Sequence, residues 1–331
     1  MDQAQVYCTL GEVIADMALA GDDGSVLERI RAASVTIEHD IGAFIPVSDT
    51  RVFHCRHHGS IEIGPMLNII QVLVNGVATT DYRLFPSSAP WMHGPAILIK
   101  PNSGSWSGCE ISITARWGKY EEVRYLMDAI SLTLDAVEIT VENGARLDTG
   151  MVMLIEDEQI LVTAGAGAKG SPEPVSVTSL IDGEIDETDE VIRVDDGSEF
   201  HVGEILALDN EDLLIKRISG NDLVVARGWN DTLIDVHADN CAIRVYRTFA
   251  IQRGVNGTTA AAHEACEVSR YLVPDDVNYL CRQIAGLMIM KARSGWQGRT
   301  GNAETGQASY FSEFPPNQME EVRKHYSIKV Y

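Results

Sequence analysis

The sequence predicts an α+β protein. N- and C-terminal helices form one helical bundle, a small antiparallel β-domain follows the first helices, and nested β-modules are inserted before the last ones. Three observations lead there. Apolar residues recur at helical spacing only near the two ends of the chain. The material between reads as short strands divided by Gly, Asn and Asp turns. The middle also carries two sets of matching motifs whose offsets interleave.

The first helix is signalled by Thr9 with Glu12 three residues on, a capping-box pattern, followed by Val13, Ile14, Met17 and Leu19. Gly21 to Gly24 break it. A second helix starts near Ser25, where Val26, Leu27, Ile30, Ala33, Ser34, Ile37 and Ile41 share a face, and Gly42 and Pro46 end it. This helical part spans 1–46.

Residues 47–121 read as the β-domain. Thr50–Cys55, Ser60–Ile63 and Ile69–Val74 are short β-rich runs. Asn75-Gly76 signals a hairpin, with Val77–Phe85 as the returning strand. Ala96–Lys100 and Cys109–Trp117 complete the domain after a Pro/Ser loop.

Residues 122–273 form the inserted part. Tyr125–Leu134 reads as a short helix or an irregular link, and Gly165–Pro174 as a linker. Ile139–Gly144 matches Ile192–Gly197, Gly150 matches Gly203 and Glu158 matches Glu211, all 53 residues apart (144 to 197, 150 to 203, 158 to 211). Arg227–Thr232 and His237 match Arg253–Thr258 and His263 at a second constant offset, 26 residues (227 to 253, 237 to 263). The order is first half, first half, second half, second half. Nesting explains it: a module over 192–246 interrupts another within 137–273.

Residues 274–331 return to helix. Pro274-Asp275-Asp276 opens it, and Val277, Leu280, Cys281, Ile284, Leu287, Met288 and Met290 form a wide apolar face. Ser294–Ser309 reads as a mobile Gly-rich loop. Pro315-Pro316 precedes a last short helix to Tyr326, and an alternating tail ends at Tyr331.

Composition narrows the function. Hydrophobic residues make up 45% of the chain, enough for packed cores. The formal charge of -22 repels phosphate backbones and argues against tight nucleic-acid binding. Six cysteines without CxxC spacing read as free thiols of a reducing cytoplasm. No leader or membrane-length apolar run is read in the sequence, so neither secretion nor a membrane partner is expected.

No catalytic or cofactor motif stands out. Gly165–Gly170 lacks the GxxxxGK[ST] arrangement and is followed by a Pro-rich stretch, so no cofactor is expected. His54, His57 and His58, around Cys55 and Arg56, contain metal-ligand types, but all on one short segment. Solvated strand residues or subunit contacts are the stronger reading of that cluster. The acidic groups at Asp195-Asp196, Asp209–Asp212 and Asp239 read mostly as solvated turns without EF-hand spacing.

Four segments together resemble the head-to-tail connector (adaptor, head completion) family of tailed bacteriophages. They are Tyr7–Leu10 with the helix pair to Phe44, Val72–Leu84, Ile113–Gly118, and Val273–Val277 with its helix, Gly-rich loop and final helix. The resemblance covers roughly residues 7–120 and 273–331 and treats the nested part as an insertion. It implies a non-enzymatic virion protein of the neck, made in the host cytoplasm, forming a ring of about twelve copies with heterologous, closed contacts. The implied partners are the portal protein, a stopper or tail-completion protein, and capsid contacts through the insertion. Genomic DNA would pass through the ring without specific binding. Ile328, Lys329, Val330 and Tyr331 are implied to dock on the portal by strand addition, and a tail that simply pairs within its own subunit is the equally open reading of the same residues. Two other readings stay open: a β-rich module of the virion exterior that recognises glycans or host surfaces, and a metal-dependent enzyme centred on His54–His58.

Overall fold

The capping box forms as its residues dictate. In the computed structural model, Thr9 N–H donates to Glu12 Oε2 at 2.9 Å and Glu12 N–H to Thr9 Oγ1 at 3.4 Å. The structure describes residues 6–17, 25–56, 60–85, 96–167, 170–293, 299–302, 307–310 and 316–326. Four helices are present among them: α1 (Leu10–Met17), α2 (Val26–Ile41), α3 (Asp275–Arg293) and α4 (Pro316–His325). Gly42 ends α2 with φ 116°, and its N–H returns to Glu38 O at 2.8 Å.

All four helices contribute to a single apolar core. Val13 of α1, Ile30 and Ile37 of α2, Leu280 and Ile284 of α3 and Val322 of α4 are buried in it with Tyr7 and Phe44. Polar bonds stitch the two ends of the chain together there. Phe44 N–H donates to Tyr7 Oη at 3.1 Å, and Asn278 Nδ2 donates to Tyr7 O and Glu12 Oε2 at 3.0 Å each. The Cys8 and Cys281 thiols touch at 3.4 Å.

The first sheet holds β1 (Val47–His54), β2 (Ile61–Val74), β3 (Val77–Ala78), β4 (Tyr82–Phe85), β5 (Ala96–Pro101) and β6 (Glu110–Trp117). Its order is β1-β6-β2-β5-β4, with β3 on β2, and every pair is antiparallel. Asn75 (φ 48°) and Gly76 (φ 81°) make the hairpin turn. Two details differ from the sequence reading. The runs expected as separate strands before Asn75 are one long strand, β2, with an irregularity in register around Gly64-Pro65. The single returning strand is split, because β4 leaves β2 and pairs with β5 instead. On β6, Ile111, Ile113, Ala115 and Trp117 alternate inward, as a half-buried strand requires.

Two further six-stranded sheets follow. The outer sheet uses β7 (Val123–Leu132), β8 (Glu138–Thr140), β9 (Val152–Ile155) and β10 (Glu158–Ala164). The inner sheet uses β11 (Val175–Leu180), β12 (Val191–Arg193), β13 (Ile205–Leu208), β14 (Glu211–Ser219), β15 (Asp222–Trp229) and β16 (Ala242–Val245). The chain then returns to the outer sheet with β17 (Thr248–Gln252) and β18 (His263–Tyr271). The strand orders are β7-β18-β9-β10-β17-β8 and β11-β16-β13-β14-β15-β12. Position by position these are the same sheet: β8 answers β12, β9 answers β13, β10 answers β14, β17 answers β15, and β18 answers β16.

Tyr125–Leu134 is not helical. It lies largely in β7, antiparallel to β18 with Tyr125 opposite Ser269. Without β7, β18 would present an unpaired edge, and that tertiary demand overrides the weak local signal. The Gly-rich stretch expected as a loop carries β19 (Arg299–Asn302) and β20 (Gln307–Tyr310), paired antiparallel. The inner sheet has its own apolar core around Leu206, Leu213, Val225 and Ile243. The outer sheet has one around Met153, Ile160 and Phe249, while Val152 and Leu161 face the helical core. Among the described residues, no helix is long and apolar enough to cross a membrane.

Candidate functional site

The chemistry-bearing side chains gather at the same place in both repeated sheets. The β9–β10 and β13–β14 hairpins turn through Glu156 (φ 52°) and Asp209 (φ 48°). Each turn delivers the first residue of the next strand, Glu158 or Glu211, into the interior, where both side chains are fully covered.

A buried carboxylate survives only if its oxygens are satisfied. Glu158 accepts from Arg253 Nε and Nη2 at 2.7 Å each, His263 Nε2 at 2.8 Å, and the Gly254 and Ala261 N–H groups at 3.0 Å each. Glu211 accepts from Arg227 Nε and Nη2 at 2.7 Å each, His237 Nε2 at 2.9 Å, Gly228 N–H at 2.9 Å and Asp235 N–H at 3.2 Å. Gly254 and Gly228 both have φ 61°, the left-handed conformation that points their N–H at the carboxylate. The remaining guanidinium donors cap backbone carbonyls: Arg253 Nη1 reaches Thr133 O at 2.8 Å, and Arg227 Nη1 reaches Asp186 O at 2.9 Å.

A second polar pair repeats beside the first. Asn256 Nδ2 donates to Gln159 Oε1, and Asn230 Nδ2 to Asp212 Oδ2, both at 2.9 Å. Thr258 and Thr232 hydroxyls accept from the Gln159 and Asp212 N–H groups. A third pair ties the modules together. Arg247, between them, grips the buried Glu204 at 2.7 and 2.9 Å, and Glu204 also accepts from Gly144 N–H of the outer module at 2.9 Å.

Burial by itself would raise the Glu158 and Glu211 carboxyls. The Arg and His donors, with the turned backbone amides, outweigh it and hold both down to about 2. Five donors on two oxygens leave no lone pair open to a substrate, so neither carboxylate is placed to act as a general base. The open chemistry lies on the other side of each imidazole. His263 Nδ1 faces the exposed Glu156 carboxylate at 2.9 Å, and His237 Nδ1 faces Asp209 at 3.0 Å. Cys266 and Cys241 complete two groups whose ligand atoms lie within 4.8 Å of one another.

The histidine cluster read from the sequence is not where these groups converge. His54 ends β1, in register with Glu110. His57 and His58 lie outside the described residues, as do Ile328, Lys329, Val330 and Tyr331. The reading of Asp209–Asp212 as a solvated turn needs correction at its second half. Glu211 and Asp212 are buried, because a two-residue turn sends the next strand directly inward. The sequence did carry a signal for this. Glu158 and Glu211 matched at one offset, and Arg253/Arg227 and His263/His237 at the other, so the three repeated pairs were available to be joined.

No family model matches the chain, and comparison with curated proteins and with solved structures likewise finds no match.

Proposed function

We propose that the chain is a structural virion protein, a head-to-tail connector subunit that assembles in a ring on the portal and joins the capsid to the tail. The observation that carries this reading is the meeting of the two ends of the chain. The segments that resemble the connector family, near Tyr7 and near Asn278, are separated by the whole β-rich middle yet bond directly to each other. A core of end helices with β-material inserted between them is the arrangement the family resemblance implies. In this reading α1 to α4 are the helical bundle of the connector, and the two modules are a decoration facing capsid or tail partners.

The duplicated Glu–Arg–His networks then serve as internal clamps, and no catalytic step is assigned to them. A net charge of -22 keeps a DNA-lining wall non-adhesive, because like charge repels the phosphate backbone within a Debye length of about 8 Å at physiological salt. The Ile328–Tyr331 segment, read from the sequence alone, is the portal-docking strand in this scheme.

The test is to mix the purified chain with its cognate portal and image the product by electron microscopy. A symmetric ring of about twelve copies at the narrow end of the portal supports the proposal. Absence of binding, with the protein located on fibres or the capsid exterior, overturns it in favour of a β-rich recognition module.

A further inference from the structure

We propose that each β-module carries a Zn²⁺-type divalent metal site, formed by Glu156, His263 and Cys266 in the outer module and by Asp209, His237 and Cys241 in the inner one. The inference stands on the site geometry alone and is independent of the connector reading.

The donor set is the first argument. A nitrogen, a sulfur and a carboxylate oxygen converge within 4.8 Å in each module. Metal bonds of about 2.0–2.3 Å place tetrahedral donors roughly 3.3–3.8 Å apart. The Asp209 carboxylate lies 3.0 Å from His237 Nδ1 and 3.5 Å from Cys241 Sγ, so small side-chain rotations bring all three to that spacing. Imidazole, thiolate and carboxylate together suit a borderline divalent ion such as Zn²⁺ better than Ca²⁺ or Mg²⁺.

The second argument is the support behind the ligands. Each imidazole has its Nε2 held by a buried carboxylate, Glu158 at 2.8 Å or Glu211 at 2.9 Å. That arrangement fixes the ring and leaves Nδ1 as the nitrogen that faces the other two donors, the orientation that metal-ligating histidines need. Both outer carboxylates are about two-thirds exposed (62% for Glu156, 63% for Asp209), so an ion has a route in and a water can fill a fourth position.

The third argument is the repeat itself. The His-to-Cys spacing differs between modules: three residues separate His237 from Cys241, and two separate His263 from Cys266. In both modules the residue before the cysteine is left-handed, Asn240 at φ 63° and Ala265 at φ 52°, and both thiols arrive beside the imidazole. The backbone changes length and the donor set stays the same.

A free cysteine thiol is mostly protonated at neutral pH. On binding, the sulfur–hydrogen bond breaks, a sulfur–metal bond forms and the proton leaves to solvent; no electrons are transferred. One carboxylate and one thiolate then neutralise the divalent charge.

The experiment is a Co²⁺ titration of the reduced, metal-free full chain, followed by thiolate-to-cobalt absorption and by metal analysis after desalting. The expected result is two equivalents per chain, one in either C241S or C266S, and none in the double variant. Zn²⁺ raises the melting temperature of the wild type and leaves that of the double variant unchanged. Asp209→Gly and Glu156→Gly remove a donor at positions whose backbone suits glycine, and they lower affinity even if a cysteine variant misfolds. Absence of a thiolate band at saturating Co²⁺, or a band that persists in the double cysteine variant, overturns the proposal.

Discussion

Arg253 holds Glu158 through Nε and Nη2, each 2.7 Å from its own carboxylate oxygen, in a setting where neither side chain is appreciably exposed. Arg227 repeats the same grip on Glu211 in the inner module. The two-point geometry makes each pair strong and also intolerant of losing one partner, since the survivor is left charged and buried.

Replacing Arg253 or Arg227 by Ala therefore costs about 3–5 kcal/mol in the affected module. Urea denaturation monitored separately for each module checks this, with the unmutated module as the internal reference. A loss below 1 kcal/mol on the order expected for exposed pairs would show the grip to be solvent-screened.

Acid weakens both modules in a defined window. The Glu158 and Glu211 carboxyls sit near 2 in the folded chain against an ordinary value of 4.5. A depressed folded value means the stabilisation is complete above pH 4.5 and is lost as pH falls toward 2. Denaturation midpoints measured from pH 6 to pH 2.5 should drop steeply in the wild type and less steeply in E158Q/E211Q.

Asp148 behaves in the opposite sense. Burial raises its carboxyl to about 6, against the lowering effect of hydrogen bonds from Thr9 and the Gly11 N–H. Between pH 3.8 and 6 the folded chain binds the extra proton, so this contribution to stability falls as pH rises through that range. Asp148→Asn is predicted to be more stable than the wild type at pH 7, with the gap closing by pH 4. Thermal melts at the two pH values decide it.

Gly197 tests the packing of the inner module. A Cβ there would lie 2.0 Å from Gly220 O, and the equivalent Gly144 would meet Tyr246 O at 2.3 Å. Backbone oxygens cannot swing aside, so G197A and G144A each destabilise by about 1–3 kcal/mol. Equal losses at the two positions, read from calorimetry, are the expected mark of one repeated architecture.

Phe44 joins the first helices to the last. Its ring meets Tyr7 at 5.7 Å and Tyr326 at 4.9 Å, both edge-on. F44A removes a fully buried aromatic and costs about 3–5 kcal/mol. Hydrogen exchange should show α4 losing protection first, because Tyr326 loses its apolar partner.

The sequence alone determined the parts of this protein that depend on neighbours along the chain. Thr9 and Glu12 make a capping box because they lie three residues apart. Asn75-Gly76 makes a turn because both residues accept positive φ. The interleaved offsets were also legible, since a duplicated sheet repeats its turn residues in order. The tertiary structure decided what depends on edges and interiors. Tyr125–Leu132 is β-strand because β18 needs a partner, and no local pattern announces that need. Glu211 looked like one more acid in a solvated turn. Only the fold brings Arg227 and His237 around it, from 16 and 26 residues away. Local spacing sets dihedral angles, but the state of a charge depends on which groups surround it after the sheet closes.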